Sequence, residues 1–368
     1  MVEVTLRVDM VVALHDPRRP IERAVASLLA DGVPVRVTVV CHGIDPSPIA
    51  ERLATVGAVP GSVRVVAFAD GVQSPTGPFM YGLRMATAEH VGIMGSDDWL
   101  DPGALRAWLE AADLGADVVV GRLRHQSGQT VRAPLVRPWR TRRLDPVRDR
   151  LAYRTAPLGL FRRCLLSDPE WSLTPGLRTG DDLAFGVRIW TSAARIDYPR
   201  GRAAYVIGSD ATERVTTAPH PVSDVLAPIE HLLDRPWFAD LPAPVRRAVA
   251  IKLVRVHLLG AVAARTEASR WMPGEPERLA HVLARCVAQA PNVPAPFSRA
   301  DRCVIDAALR PGVSAVTLAA VAERRRTASR LDGVLTARLR DALMRESTAR
   351  RYLNYALSRF VERVRGDR

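Results

Sequence analysis

The chain has 368 residues, 48% of them apolar and 25% charged, with a net charge of +13. That length suits two domains, that apolar content excludes wholesale disorder, and no apolar run of about 18 uncharged residues predicts a membrane-spanning helix. The positive charge suits an anionic partner, whether nucleic acid, a phosphorylated ligand or a membrane surface. Among 52 basic residues Lys252 is the only lysine, read most simply as the coding bias of a GC-rich genome.

The first 120 residues alternate between two periods. Residues 9–14 (DMVVAL) read as a strand, and 20–30 (PIERAVASLLA) as a helix with Ile21, Ala24, Val25, Leu28 and Leu29 on one face. Strands follow at 35–41, 62–68, 90–95 and 116–121, with helices near 47–55 and 77–88 and another opened by Asp101 as N-cap and Pro102 as first helical residue. Continuous apolar strands between amphipathic helices predict a mostly parallel sheet covered on both faces. Residues 122–146 have no clear period and read as a basic excursion. A helix returns at about 180–191 and strands near 195–207. From about 222 the pattern is helical, with proline-rich joints at 242–244 and 292–296. The predicted boundary lies near residue 218, giving an α/β domain over 1–218 and an α-helical one over 219–368. Cys41, Cys164, Cys286 and Cys303 lack metal-ligand spacing and read as reduced core thiols of a cytosolic protein. The N-terminal residues read as a strand and not as a signal peptide.

Two acid pairs carry the chemistry. In VGIMGSDDWLDPGAL, residues 91–105, Asp97 and Asp98 follow the fourth strand, where ligands of open α/β sheets bind. Adjacent carboxylates repel each other, and a divalent cation bridging them to a diphosphate would relieve that. The competing explanation is a solvated acidic turn. Asp181 and Asp182 open the helix at 180–191. Thr179 with Asp182 at the third position would make a capping box, a structural role compatible with catalysis.

Taken in order, these segments resemble family 2 glycosyltransferases of the GT-A fold, of the kind that build bacterial cell-surface polysaccharides. VVALHDPRRPIERAVASLL resembles the family's opening strand and helix, with His15-Asp16 where Tyr-Asn is usual. SPTGPFMYGLRMATAEHVGIMGSDDWLDPGAL resembles its run into the metal-binding acid motif, TAPLGLFRRCLL the segment before the catalytic motif, and GLRTGDDLAFGVRIW that motif itself. The similarity covers about residues 8–218.

The resemblance implies a GT-A catalytic domain followed by the helical one. It implies a nucleotide-diphospho sugar donor, UDP-linked in most relatives, and Mn²⁺ or Mg²⁺ on Asp98 with Asp97. His15, Asp16, His42, Asp70, Asp97 and Arg214 would face the nucleotide. Asp182, with Asp181 beside it, would be the catalytic base. Trp99 would line the acceptor side or simply pack. The reaction would be an inverting displacement onto a hydroxyl of a glycan or lipid-linked acceptor, on the cytoplasmic side of the membrane. Two departures stand out. Gly95 occupies the place of the motif's first acid, and VVCHGID replaces an acidic stretch, leaving His42 or Asp45 to serve the base or ribose. They motivate an alternative, a catalytically degenerate GT-A protein serving as a binding or scaffold subunit.

Residues 323–368 carry 13 Arg against six acids. Within them Leu353, Leu357, Phe360, Val361 and Val364 share a helical face flanked by arginines, as in helices that lie on anionic bilayers. Packing on the chain's own domain or on a second copy is the competing explanation. A nucleic-acid-binding role rests on charge alone, since no helix-turn-helix, zinc or aromatic RNA-binding signature occurs, and no nucleic-acid partner is expected.

Overall fold

Strands that are apolar on both sides gain most when helices cover both faces of their sheet. The computed structural model, which describes residues 5–56, 59–199, 201, 203–210 and 220–364, has that architecture. In chain order the first domain holds β1 (Val8–Leu14), α1 (Ile21–Leu29), β2 (Val35–His42), α2 (Ser47–Leu53), β3 (Val63–Phe68), α3 (Thr76–Arg84), β4 (His90–Gly95), β5 (Trp99–Leu100), α4 (Ala104–Asp113), β6 (Val118–Val120), β7 (Leu123–His125), β8 (Thr130–Val131), β9 (Gly159–Arg162), α5 (Leu183–Ser192), β10 (Ile196–Asp197) and β11 (Tyr205–Ile207). The main sheet has seven strands in the order β10-β6-β9-β4-β1-β2-β3. Only β9 runs antiparallel, against both β4 and β6. With the helices that follow, this is the GT-A-like arrangement expected from the sequence.

Side chains of a strand alternate between faces, and β1 shows the consequence. Val8, Met10, Val12 and Leu14 pack with α1 and α4, while Val11 packs on the opposite face, in the core that holds Leu83 of α3 and Phe185 and Ile189 of α5. The basic excursion contains the short β7–β8 hairpin. With β5 and β11 it forms a second sheet in the order β5-β11-β7-β8.

The C-terminal region is α6 (Val222–Leu233), α7 (Pro236–Ala239), α8 (Ala243–Lys252), a π-helical segment (Leu253–Leu258), α9 (Leu259–Ala263), α10 (Glu275–Ala288), α11 (Arg299–Ala308), α12 (Ala315–Arg326), α13 (Arg330–Val334) and α14 (Thr348–Val364). Its core takes in Leu183, Ala184 and Val187 of α5, so the helix behind the second acid pair is held by the C-terminal helices.

Local structure corrects four expectations. Asp101 does not cap α4, whose N-cap is Gly103 in the left-handed region at φ 87°; the Asp101 carboxylate instead binds Arg124 at 2.6 Å and the Ala204 N–H at 3.1 Å. The capping box at α5 is absent, because its N-cap Asp182 makes no side-chain cap bond. Cys41 and Cys286 are core residues, but Cys164 is exposed. The apolar face of α14 is not packed on its own domain: Leu353 is 60% and Phe360 64% exposed. What ties α14 down is polar, Arg132 to Glu362 at 2.6 Å and Asn354 to the Leu135 carbonyl at 3.3 Å. Among the described residues, no helix is long and apolar enough to cross a membrane.

Candidate active site

The C-terminal ends of β1, β2, β3 and β4 bring His15, Asp16, His42, Asp70, Asp97 and Asp98 to one edge of the sheet, the edge that binds ligands in open α/β folds. Arg214 lies outside the described residues.

Asp97 and Asp98 form the turn from β4 into β5. The Asp97 carboxylate accepts Arg19 Nη1 at 2.8 Å, and its backbone carbonyl accepts Arg23 Nη2 at 2.7 Å. Asp98 is gripped by neutral donors, the Tyr205 hydroxyl at 2.5 Å and the Gly208 N–H at 2.8 Å. Tyr205 is buried, and its oxygen also accepts the Gly95 N–H at 3.0 Å. Burial, and then the Asp98 charge, lift the Tyr205 phenol well above its ordinary pKa, so it stays a donor. Two glycines make this geometry possible. A Cβ on Gly95 would fall 2.6 Å from Asp98 Oδ2, and one on Gly208 would fall 1.9 Å from the Asp97 carbonyl oxygen. A side chain at position 95 would thus crowd the Asp98 carboxylate.

Among the described residues, no cluster of three or more His, Cys, Asp or Glu side chains could hold a metal by itself. Two carboxylates would nonetheless suffice for a cation whose remaining ligands are not protein groups. Mg²⁺ characteristically takes one or two carboxylates and completes its octahedron with phosphate oxygens and water, and Asp98 and Asp97 supply that number.

At the ends of β2 and β3, His42 Nε2 lies 2.8 Å from Asp70 Oδ1. The His42 ring is tilted against Phe68 at 5.6 Å, and Phe68 against Tyr81 at 5.0 Å. A Cβ on Gly77 would come 2.2 Å from Asp70 Oδ2, so the first turn of α3 closes on this carboxylate only because that residue is glycine. Asp45 is used structurally, accepting the Ser47 N–H at 2.9 Å at the start of α2. Asp16 holds Arg18, whose hydrogen bonds bring its carboxyl down to about 2. His15 is exposed beside them. Trp99 packs beneath Arg23, whose guanidinium carbon lies 4.0 Å from the ring centroid.

Among the described residues, the second acid pair has one side-chain hydrogen-bond donor and otherwise backbone N–H groups. Asp181 accepts the Thr76 hydroxyl at 2.6 Å, but burial raises its pKa nonetheless. The Asp182 carboxyl is raised to about 6, by burial first and by Asp181 second, with Lys252 opposing. A carboxylate at about 6 is ionised at neutral pH and is a stronger base than an ordinary one, the property a general base needs.

Sequence reasoning did not assign Arg19, Arg23, Thr76, Tyr205 or Lys252 to the site. Arg19 stood in the quoted HDPRRP stretch. Tyr205 had no signal, because its role depends on β11 lying beside β5.

Residues 11–168 match the model of the family described as Glycosyl transferase family 2. No curated protein matches the chain. Among solved structures, S. aureus TarS residues 1–349 in complex with UDP-GlcNAc superposes with a TM-score of 0.71 at 18% identity, covering 87% of this chain and 92% of that one. The same protein in complex with UDP gives 0.68 at 17% identity, covering 87% and 91%. Full S. aureus TarS gives 0.66 at 18% identity, covering 87% of this chain and 55% of that one. These likenesses concern the fold.

Proposed function

We propose that this chain, whose residues 11–168 match the family 2 glycosyltransferase model, moves a sugar from UDP to a hydroxyl of a cell-envelope glycan or lipid-linked acceptor, with inversion and with a divalent cation. The observation that carries the reading is Asp182, a partly buried carboxyl at about 6, placed at the ligand-binding edge of a sheet whose other acid pair is oriented by a tyrosine and an arginine. The structures of S. aureus TarS with UDP-GlcNAc and UDP support the choice of donor.

Each residue then has a task. Asp98 and Asp97 hold Mn²⁺ or Mg²⁺, which supplies Lewis-acid stabilisation to the leaving diphosphate when bound. Arg19 and Arg23 sit beside these acids and supply positive charge toward the phosphates. His42 and Asp70 present a paired edge to the nucleoside, with Phe68 and Tyr81 behind. Asp182 takes the proton of the acceptor hydroxyl as it attacks, and a single displacement with base and leaving group on opposite faces inverts the anomeric centre. Thr76 steadies Asp181, whose charge helps to keep Asp182 basic. The space that Gly95 leaves for Asp98 supports catalysis over a degenerate scaffold.

The exposed apolar face of α14, with Leu339 and Leu343 also exposed and arginines on its flanks, supports attachment to an anionic membrane surface, where such acceptors reside. Replacing Leu353 and Phe360 by Gln should abolish cosedimentation with anionic vesicles at low salt without changing the melting temperature; unchanged cosedimentation would remove the membrane from the account. The functional reading is tested by UDP release from UDP-sugars with and without Mn²⁺ or Mg²⁺. Cation-dependent release that stops in Asp182→Asn is expected, and a protein that neither binds nor turns over any UDP-sugar would overturn the reading.

A further inference from the structure

The single lysine of an arginine-rich chain is also one of its most buried side chains: Lys252 is 0% exposed. It closes α8 where the backbone widens into the π-helical segment Leu253–Leu258. In an α-helix the fifth residue onward would lie about 140° around the axis. The wider i→i+5 turn of a π-helix returns it to the same side, and such segments concentrate at functional sites. Here it sets His257 against Lys252, with Nε2 2.8 Å from Nζ. Burial, and then the lysine charge, bring the His257 pKa down to about 3, so the ring is neutral and accepts from the ammonium.

Lys252 makes no ion pair with any carboxylate among the described residues; its electrostatic partner, at longer range, is Asp182. The packing fixes that relation. Val249, Ala250 and Ile251 of α8 and Leu253 of the π segment share a core with Leu183, Ala184 and Val187, which directly follow Asp182 on α5. The charged groups that act on the Asp182 carboxyl are Asp181, which raises its pKa, and Lys252, which lowers it. Burial brings Lys252 down to about 7, with Asp182 opposing the fall. A buried ammonium without a contact ion pair is costly, and an apolar side chain would pack there without that cost.

We propose that Lys252 is a positioning residue for the transfer reaction: the C-terminal helices use it, clamped by His257, to set a buried positive charge behind Asp182 so that the carboxylate is ionised when the acceptor hydroxyl arrives. This rests on Asp182 being the base. It gives the helical region a catalytic purpose and makes the width of one helical turn part of the active site.

The test is a pH titration of the Asp182 carboxyl by ¹³C NMR on donor-free, aspartate-labelled protein, with the resonance identified by its loss in Asp182→Asn. Lys252→Met keeps the length and apolar stem of the side chain. It should move the Asp182 midpoint upward by about one unit, the size of effect an opposite charge has on a carboxyl. His257→Leu, which removes the clamp, should move it the same way by less, and serves alone if Lys252→Met fails to fold. In transfer assays the acid limb of the rate profile should move by the same amount with donor KM unchanged, which a purely structural role would not produce. An unmoved midpoint in folded protein overturns the proposal. A moved midpoint together with unimpaired transfer by Asp182→Asn overturns the base assignment, and with it any role for Lys252 in transfer.

Discussion

The two Asp-Asp pairs are the same dipeptide in opposite surroundings. Asp97 and Asp98 lie in a turn rich in donors: Arg19, the Tyr205 hydroxyl and the Gly208 N–H all point at them. Asp181 and Asp182 head a helix where, among the described residues, a single side-chain donor, the Thr76 hydroxyl on Asp181, joins a few backbone N–H groups, and burial outweighs them. Donors that favour the charged form make a carboxylate a ligand, whereas burial without donors makes it a base. In the proposed mechanism the division of labour would come from what folds around each pair.

The comparison breaks most sharply on Asp182→Asn. Transfer should fall by roughly 10²–10⁴-fold while UDP affinity stays near that of the parent, because the donor-rich pair is untouched. Asp181→Asn should lose less. Measured transfer beside nucleotide affinity decides it, and near-parental turnover in Asp182→Asn would return the pair to a structural role.

Tyr205→Phe probes the other pair with a smaller effect. Removing one orienting hydroxyl from a metal-binding carboxylate typically weakens metal binding by about 10–100-fold. Cation-dependent nucleotide affinity should fall in that range with the fold intact. Affinity that does not change would mean that Asp98 needs no support and that its tyrosine is a packing residue.

The smallest effect is on stability, and its sign follows from linkage. The Asp182 carboxyl titrates at about 6 in the folded chain against an ordinary 3.8, so the native state holds a proton that the unfolded state has lost. Stability contributed at this site is therefore full below about 3.8, falls as pH rises toward 6, and stays lost above it. Asp182→Asn should melt a few degrees above the parent near pH 8 and together with it near pH 3. Thermal melts at both values check this, and a variant less stable at high pH would contradict the burial argument.

Much of this was legible in the chain. Strand–helix alternation over the first 120 residues revealed the sheet because apolar runs and amphipathic faces are local patterns. Both acid pairs were visible because adjacent like charges beside a strand end or a helix start are conspicuous. What stayed hidden depended on distant partners. Tyr205 reaches Asp98 only because β11 pairs with β5 and β7 in a second sheet, and the excursion that supplies β7 and β8 shows no period. Thr179 and Asp182 had the spacing of a capping box, yet the helix starts three residues later, with Asp182 itself at the N-cap. The lone lysine was noticed and credited to genome composition. Its contact with His257 follows from a π-helical turn, which no local pattern announces.

If one acid pair holds the donor and the other performs the transfer, donor binding must depend on the first pair alone. Titration calorimetry of UDP with Mg²⁺ or Mn²⁺ against the parent, Asp98→Ala and Asp182→Asn tests it most directly. The account predicts that Asp98→Ala loses the cation-dependent part of binding while Asp182→Asn binds as the parent does. Equal losses in the two variants, or none in either, would contradict it.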